Sequence, residues 1–142
     1  MNVKAILAEK GRDVTTVGPR ATLREVASIL HDNHIGAVVV IDDSGRITGI
    51  LAERDIVGAI AEDGAASLSK PVSSIMWKNV YRCTEDMTVE GVMELMSARR
   101  ARHLPVERDG RLAGIISIGD IVKAHIRDIQ NEAEHIKAYI AG

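Results

Sequence analysis

The chain has 142 residues, 46% of them hydrophobic, which is enough for one ordinary core and leaves no room for a separate catalytic domain. A formal net charge of −2 gives no long-range attraction for nucleic acid or an anionic membrane surface, and with no Phe, one Trp and two Tyr there is no row of aromatic platforms for single strands. Cys83 is the single cysteine, which excludes an intramolecular disulfide and a cysteine metal cluster; with no basic-then-apolar leader and no run of about 18 apolar residues, a cytoplasmic protein outside the membrane is expected.

Residues 14–17 predict a short strand, and Thr22 then stands as an N-cap before Leu23, Val26, Ala27 and Leu30 at helical spacing. Strands are expected over 37–41 and 46–51 on either side of the turn Asp42-Asp43-Ser44-Gly45, with a helix after Leu51. Residues 62–71 are polar and rich in breakers, the composition of a link. The pattern then recurs: a strand at 80–83, Thr88 ahead of Val89, Val92, Met93 and Met96, and strands at 103–106 and 111–116 around a turn ending in Asp109-Gly110. Thr22 matches Thr88 and Gly49-Ile50-Leu51 matches Gly114-Ile115-Ile116, so the chain is α/β, two copies of one β-α-β-β-α unit. The copies cover residues 1–61 and 72–125, joined by 62–71 and followed by a helical extension at 126–142 that continues a helix begun near Gly119. Ile126, Ile129, Ala133, Ile136 and Ile140 form one stripe on it, which packs either on its own unit or against another subunit.

The stretch Gly114-Ile115-Ile116-Ser117-Ile118-Gly119-Asp120 is a buried strand turning into a helix. Ser117 and Asp120 have capping-box spacing, and the same helix N-terminus offers free N–H groups and a positive dipole end to a phosphate. Ser117 can donate to a phosphate oxygen while an ionised Asp120 accepts from both hydroxyls of a ribose. Arg102 and His103, at the entrance to a strand, are better placed for phosphate than Arg99 and Arg100. Other candidates are weaker. His31 and His34 lack the further donors a metal needs, and Cys83 with His103 has no base or oxyanion arrangement for a nucleophile. Met76, Met87, Met93 and Met96 suit core filling, and His125 and His135 suit the surface.

With Gly-h-h-Ser-x-x-Asp at 114–120 and a partial copy at 49–55, the sequence resembles a tandem pair of CBS domains, the Bateman module, over residues 1–125. The resemblance implies two repeats about a pseudo-twofold axis, two clefts, and a non-catalytic sensor that needs no cofactor. It implies a ligand such as AMP, ADP, ATP, NAD(H) or S-adenosylmethionine, a homodimer, and a regulated partner protein. Carried over by position, Asp120 holds ribose and Ser117 phosphate, assisted by Arg102 and His103, with Val17, Gly18, Ile35 and Gly36 lining the base pocket. In the other cleft Asp55 holds ribose and Arg54 phosphate, with Cys83, Thr84, Ala101 and Arg102 near the base. Ala52 stands where the motif has a hydroxyl, so the clefts are expected to differ in affinity or ligand. The alternative function is a ligand-independent dimerisation and assembly module.

Overall fold

In the computed structural model, which describes residues 1–141, both threonines cap helices. Thr22 accepts from the Glu25 N–H at 3.2 Å and Thr88 from the Gly91 N–H at 3.0 Å. The helices they start, α2 (Leu23–Asn33) and α4 (Val89–Arg99), bury Leu23, Val26 and Leu30 in one repeat and Val89, Val92 and Met96 in the other. Each stops at a residue held at φ 53°, His34 and Arg100, which turns the chain into the hairpin. The hairpins are antiparallel: β2 (Ala37–Ile41) with β3 (Ile47–Ala52), and β4 (His103–Arg108) with β5 (Arg111–Ser117). Both carry a register shift at the matched places, after Val40 and after Val106. The closing helices are α3 (Glu53–Asp63) and α5 (Ile118–Ala141).

The leading strands differ. Residues Thr16–Val17 of the first repeat form β1, parallel to β2, and the Val39 N–H reaches the Thr15 carbonyl at 3.3 Å. The strand expected at 80–83 is reduced to one bridge at Cys83, whose N–H donates to the Pro105 carbonyl at 3.0 Å and whose carbonyl accepts from the Glu107 N–H at 2.9 Å. Pro105 stands where the first repeat has Val39. Without an N–H it cannot make the next rung toward Tyr81, and the ladder ends.

A helix not expected from the sequence, α1 (Val3–Lys10), begins at Asn2, whose side chain accepts from the Ala5 N–H at 3.0 Å. Its Val3, Ile6 and Leu7 lie in the core of the second repeat, with Cys83, Leu104, Ile116 and Ile121. The exchange is reciprocal. Residues 64–74 form two 3₁₀ turns, Gly64–Ser69 and Val72–Ser74, and Leu68, Val72, Ile75 and Met76 pack into the core of the first repeat. These are the contacts a pseudo-twofold axis generates. They also explain the motif glycines: a Cβ at Gly114 would stand 2.7 Å from Leu7 Cδ2, and one at Gly49 would collide with the Met76 sulfur.

On α5, Ile121 and Ala124 are buried, whereas Val122, Ile126, Ile129, Ile136 and Ile140 are exposed, so the apolar stripe does not pack on its own repeat. From Ile129 to Ala141 every residue is exposed. His125 corrects the surface expectation: it is half-buried, with Nδ1 out of solvent and without a hydrogen-bond partner. The methionines do fill core, Met96 within it and Met76, Met87 and Met93 against it. Among the described residues no helix is long and apolar enough to cross a membrane.

Candidate functional site

Each hairpin delivers its last residue to the start of a helix, where a backbone contact fixes the approach. The Glu53 N–H of α3 donates to the Gly36 carbonyl at 3.0 Å, and the Ile118 N–H of α5 donates to the Arg102 carbonyl at 2.8 Å. At the head of α5 the capping box is complete. Asp120 Oδ2 accepts from the Ser117 N–H at 2.9 Å and hydroxyl at 3.0 Å, and the Ser117 Oγ accepts from the Asp120 N–H at 3.2 Å. At the head of α3 half of it survives: Asp55 Oδ2 accepts from the Ala52 N–H at 2.8 Å, and Ala52 has no hydroxyl to return.

Both carboxylates are also held from outside their helices. The Lys10 ammonium, on α1, donates to Asp120 Oδ2 at 2.7 Å and to the Ile115 carbonyl at 3.0 Å. Trp77 pairs its backbone with Ile50 in both directions and donates its indole N–H to Asp55 Oδ1 at 3.1 Å. Partial burial works against ionisation of Asp120, but hydrogen bonds from Lys10 and Ser117 outweigh it and hold the carboxyl below the usual carboxylate range.

Between the repeats, on the Asp55 side, lies a cavity of about 820 Å³. Arg54, Arg99, Arg100 and Arg102 all line it, and among the described residues none of the four is in an ion pair. Trp77 and Tyr81 add two aromatic surfaces, and the Arg99 guanidinium lies 4.8 Å from the centre of the Tyr81 ring. His103 reaches in beside Gly36, where a Cβ would stand 3.3 Å from its Nε2. Burial pushes the His103 imidazole below its ordinary range against the pull of Asp120 and Glu53, with Lys10 and Arg102 adding to the push.

The family model for the CBS domain matches twice, over residues 3–62 and 72–127. The chain belongs to the CBS-domain family. As a CBS pair it is similar to the CBS-domain containing protein ATU1752 from Agrobacterium tumefaciens, at 56% identity and a TM-score of 0.85, covering 87% of this chain and 92% of that one. It is similar also to CBS domain protein PAE2072 from Pyrobaculum aerophilum, solved with AMP, at 28% identity and a TM-score of 0.75, over 84% and 89% of the two chains. A third likeness is to the CBS domain pair of protein MJ0100, solved with 5-methylthioadenosine and S-adenosyl-L-methionine, at 29% identity and a TM-score of 0.80, over 90% and 98%.

Of the residues that the resemblance assigns to the Asp55 cleft, Arg54, Asp55, Ala101 and Arg102 meet in the large cavity, joined by Gly36 and His103, which the sequence placed in the opposite cleft. Cys83 and Thr84 do not line it. Cys83 is fully buried in the second core, where desolvation pushes its thiol up to about 11, and Thr84 is bonded to Asp86 at the surface. Val80 and Tyr81 take that side of the cavity instead. On the other side Asp120 and Ser117 stand with Lys10. Val17 belongs to the first core and Gly18 faces open space. Ile35 lines a smaller cavity of about 460 Å³ with His31, His34 and Glu53; among the described residues no three potential ligands gather to hold a metal ion. The sequence reading passed over Trp77, Tyr81 and Lys10. Trp77 had one visible signal, a lone indole just after the link; Lys10 had none, because its partner is far along the chain.

Proposed function

We propose that this CBS pair is a non-catalytic module that binds an adenine nucleotide in the Asp55 cavity and transmits occupancy to a regulated protein. The observation that supports it is the convergence, from both repeats, of a helix-start carboxylate with four unpaired guanidinium groups in one cavity. Asp55 suits the two hydroxyls of a ribose, the arginines with the head of α3 suit phosphate, and Trp77 and Tyr81 offer faces for the base. The local excess of positive charge favours a phosphorylated ligand such as AMP, ADP, ATP or NAD(H) over a sulfonium such as S-adenosylmethionine.

A panel of AMP, ADP, ATP, NAD, NADH and S-adenosylmethionine followed by thermal unfolding tests this. A ligand at a hundred times its dissociation constant adds about 2.7 kcal/mol, a rise of several degrees. The expected result is a rise with a phosphorylated nucleotide that Asp55→Ala abolishes. A rise untouched by Asp55→Ala would move the ligand elsewhere, and a flat panel on nucleotide-free protein would leave the assembly module as the function.

The apolar stripe of α5 is the surface we assign to a second copy of the chain. Val122, Ile126, Ile129, Ala133, Ile136 and Ile140 follow the alternating spacing of a coiled-coil seam. Parallel pairing in register sets Glu132 of one copy opposite Lys137 of the partner subunit, so the flanking charges match as well.

A further inference from the structure

The two helix-start carboxylates share a feature that the ligand-binding motif does not require. Each receives a side-chain donor from the segment that leads into the opposite repeat. Lys10, at the end of α1 in the opening segment of the first repeat, reaches Asp120 of the second; Trp77, in the opening segment of the second repeat, reaches Asp55 of the first. Both donors therefore compete for the carboxylates a ribose would use: Trp77 on Asp55 Oδ1, the oxygen its cap leaves free, and Lys10 on Asp120 Oδ2, the oxygen that Ser117 also engages. Each is carried by a segment whose other residues are fixed in place: Leu7 is buried against Gly114, and Met76 packs on Gly49.

We propose that Lys10 and Trp77 are competing side chains that plug the two clefts and set the order in which they fill. The inference rests on Asp55 and Asp120 being ribose-binding groups. A ligand competes with one contact at each cleft, for the free oxygen at Asp55 and for the carboxylate's charge at Asp120, and the contacts differ in kind. Lys10 brings a full charge to a partly enclosed ion pair in which the side chains are 32% and 23% exposed, and it bonds the Ile115 carbonyl as well. Trp77 brings one neutral N–H, and its residue is 64% exposed, so the ring can swing away while its backbone stays paired with Ile50. The Asp55 cleft therefore fills first and the Asp120 cleft is held shut by α1. Once displaced, the indole is free to cover a base with its face.

The lone tryptophan makes the order measurable. AMP and ATP are titrated into the full chain by calorimetry for wild type, Lys10→Met, Lys10→Ala and Trp77→Phe, with Trp77 fluorescence followed in parallel for all but Trp77→Phe, which lacks the indole. In wild type the tight equivalent changes the fluorescence and is lost in Asp55→Asn. In both Lys10 variants the Asp120 cleft tightens by about fivefold, the scale expected for releasing one partly exposed ion pair, and that gain is lost when Asp120→Asn is added. Trp77→Phe, which keeps a smaller aromatic face and removes the indole N–H, tightens the Asp55 cleft severalfold. Hydrogen exchange on wild type supplies a measurement free of variants: filling the Asp120 cleft raises exchange in the last turn of α1.

Weaker binding at the Asp120 cleft in the Lys10 variants would make Lys10 a ligand contact and overturn the proposal. Binding in both clefts that neither substitution alters would overturn it too, while leaving the parent assignment intact. Absence of binding in wild type and every variant would overturn both.

Discussion

Gly114 lies against Leu7, a side chain only 1% exposed, whereas Gly49 lies against Met76, which is partly exposed and unbranched. The two matched glycines therefore differ in what an added methyl group displaces. Gly114→Ala is expected to destabilise the protein by about 1–3 kcal/mol, the usual scale of overpacking, and Gly49→Ala by less, because a thioether chain can shift. Chemical unfolding of the two variants checks this, and the reverse order would mean that α1 is the looser of the two crossings. Asp120 supplies a second case. Its folded carboxyl titrates below the usual range, so its share of stability is complete above that range and is lost as pH falls through the lowered value. In ligand-free protein, Asp120→Asn should show a shallower loss of stability on the acid side than wild type; parallel curves would show that Lys10 and Ser117 contribute nothing to the fold. The capping pairs behind these arguments were legible in the sequence, since their partners are three residues apart. The plugs were not, because Lys10 and Asp120 meet only through the fold.

Helices α2 and α4 and both hairpins were legible as elements because local patterns encode them: apolar residues at helical spacing after a threonine cap, and turn residues between short apolar runs. The strand at 80–83 had the same composition signal as its counterpart, and what removed it was an absent N–H on the neighbouring strand, at Pro105. That same shortening leaves Tyr81 to the cavity and Cys83 to the core. Helix α1 escaped notice for a different reason: at 8 residues it is too short to be stable alone, and docking on the second repeat is what sustains it. Helix α5 raises the converse problem, since its stretch from Ile129 to Ala141 has no packing within the chain to sustain it. Replacing Ile129 and Ile136 together by Glu is expected to lower the assembly state seen by sedimentation and to reduce helical signal at low concentration. A mass that stays at two copies would place the interface elsewhere.

For the molecule as a whole, the duplication was legible and the exchange of lead-in segments was not. The repeat shows in matched residues such as Thr22 with Thr88, whereas nothing in Val3, Ile6 or Leu7 says which of two similar cores they complete. The cavity inherits that arrangement, since Arg54 and Asp55 come from one repeat, Arg99, Arg100 and Arg102 from the other, and Trp77 from the crossing between them. The exchange also bears on the chain's birth. Helix α1 leaves the ribosome ahead of everything else described here, yet its docking surface includes Ile116 and Ile121. At about 5–20 residues per second of synthesis, its apolar face waits roughly 6–24 s for that surface to emerge. During that interval the helix is exposed to the second repeat of a neighbouring nascent chain, which is the route by which two copies would trade their first helices.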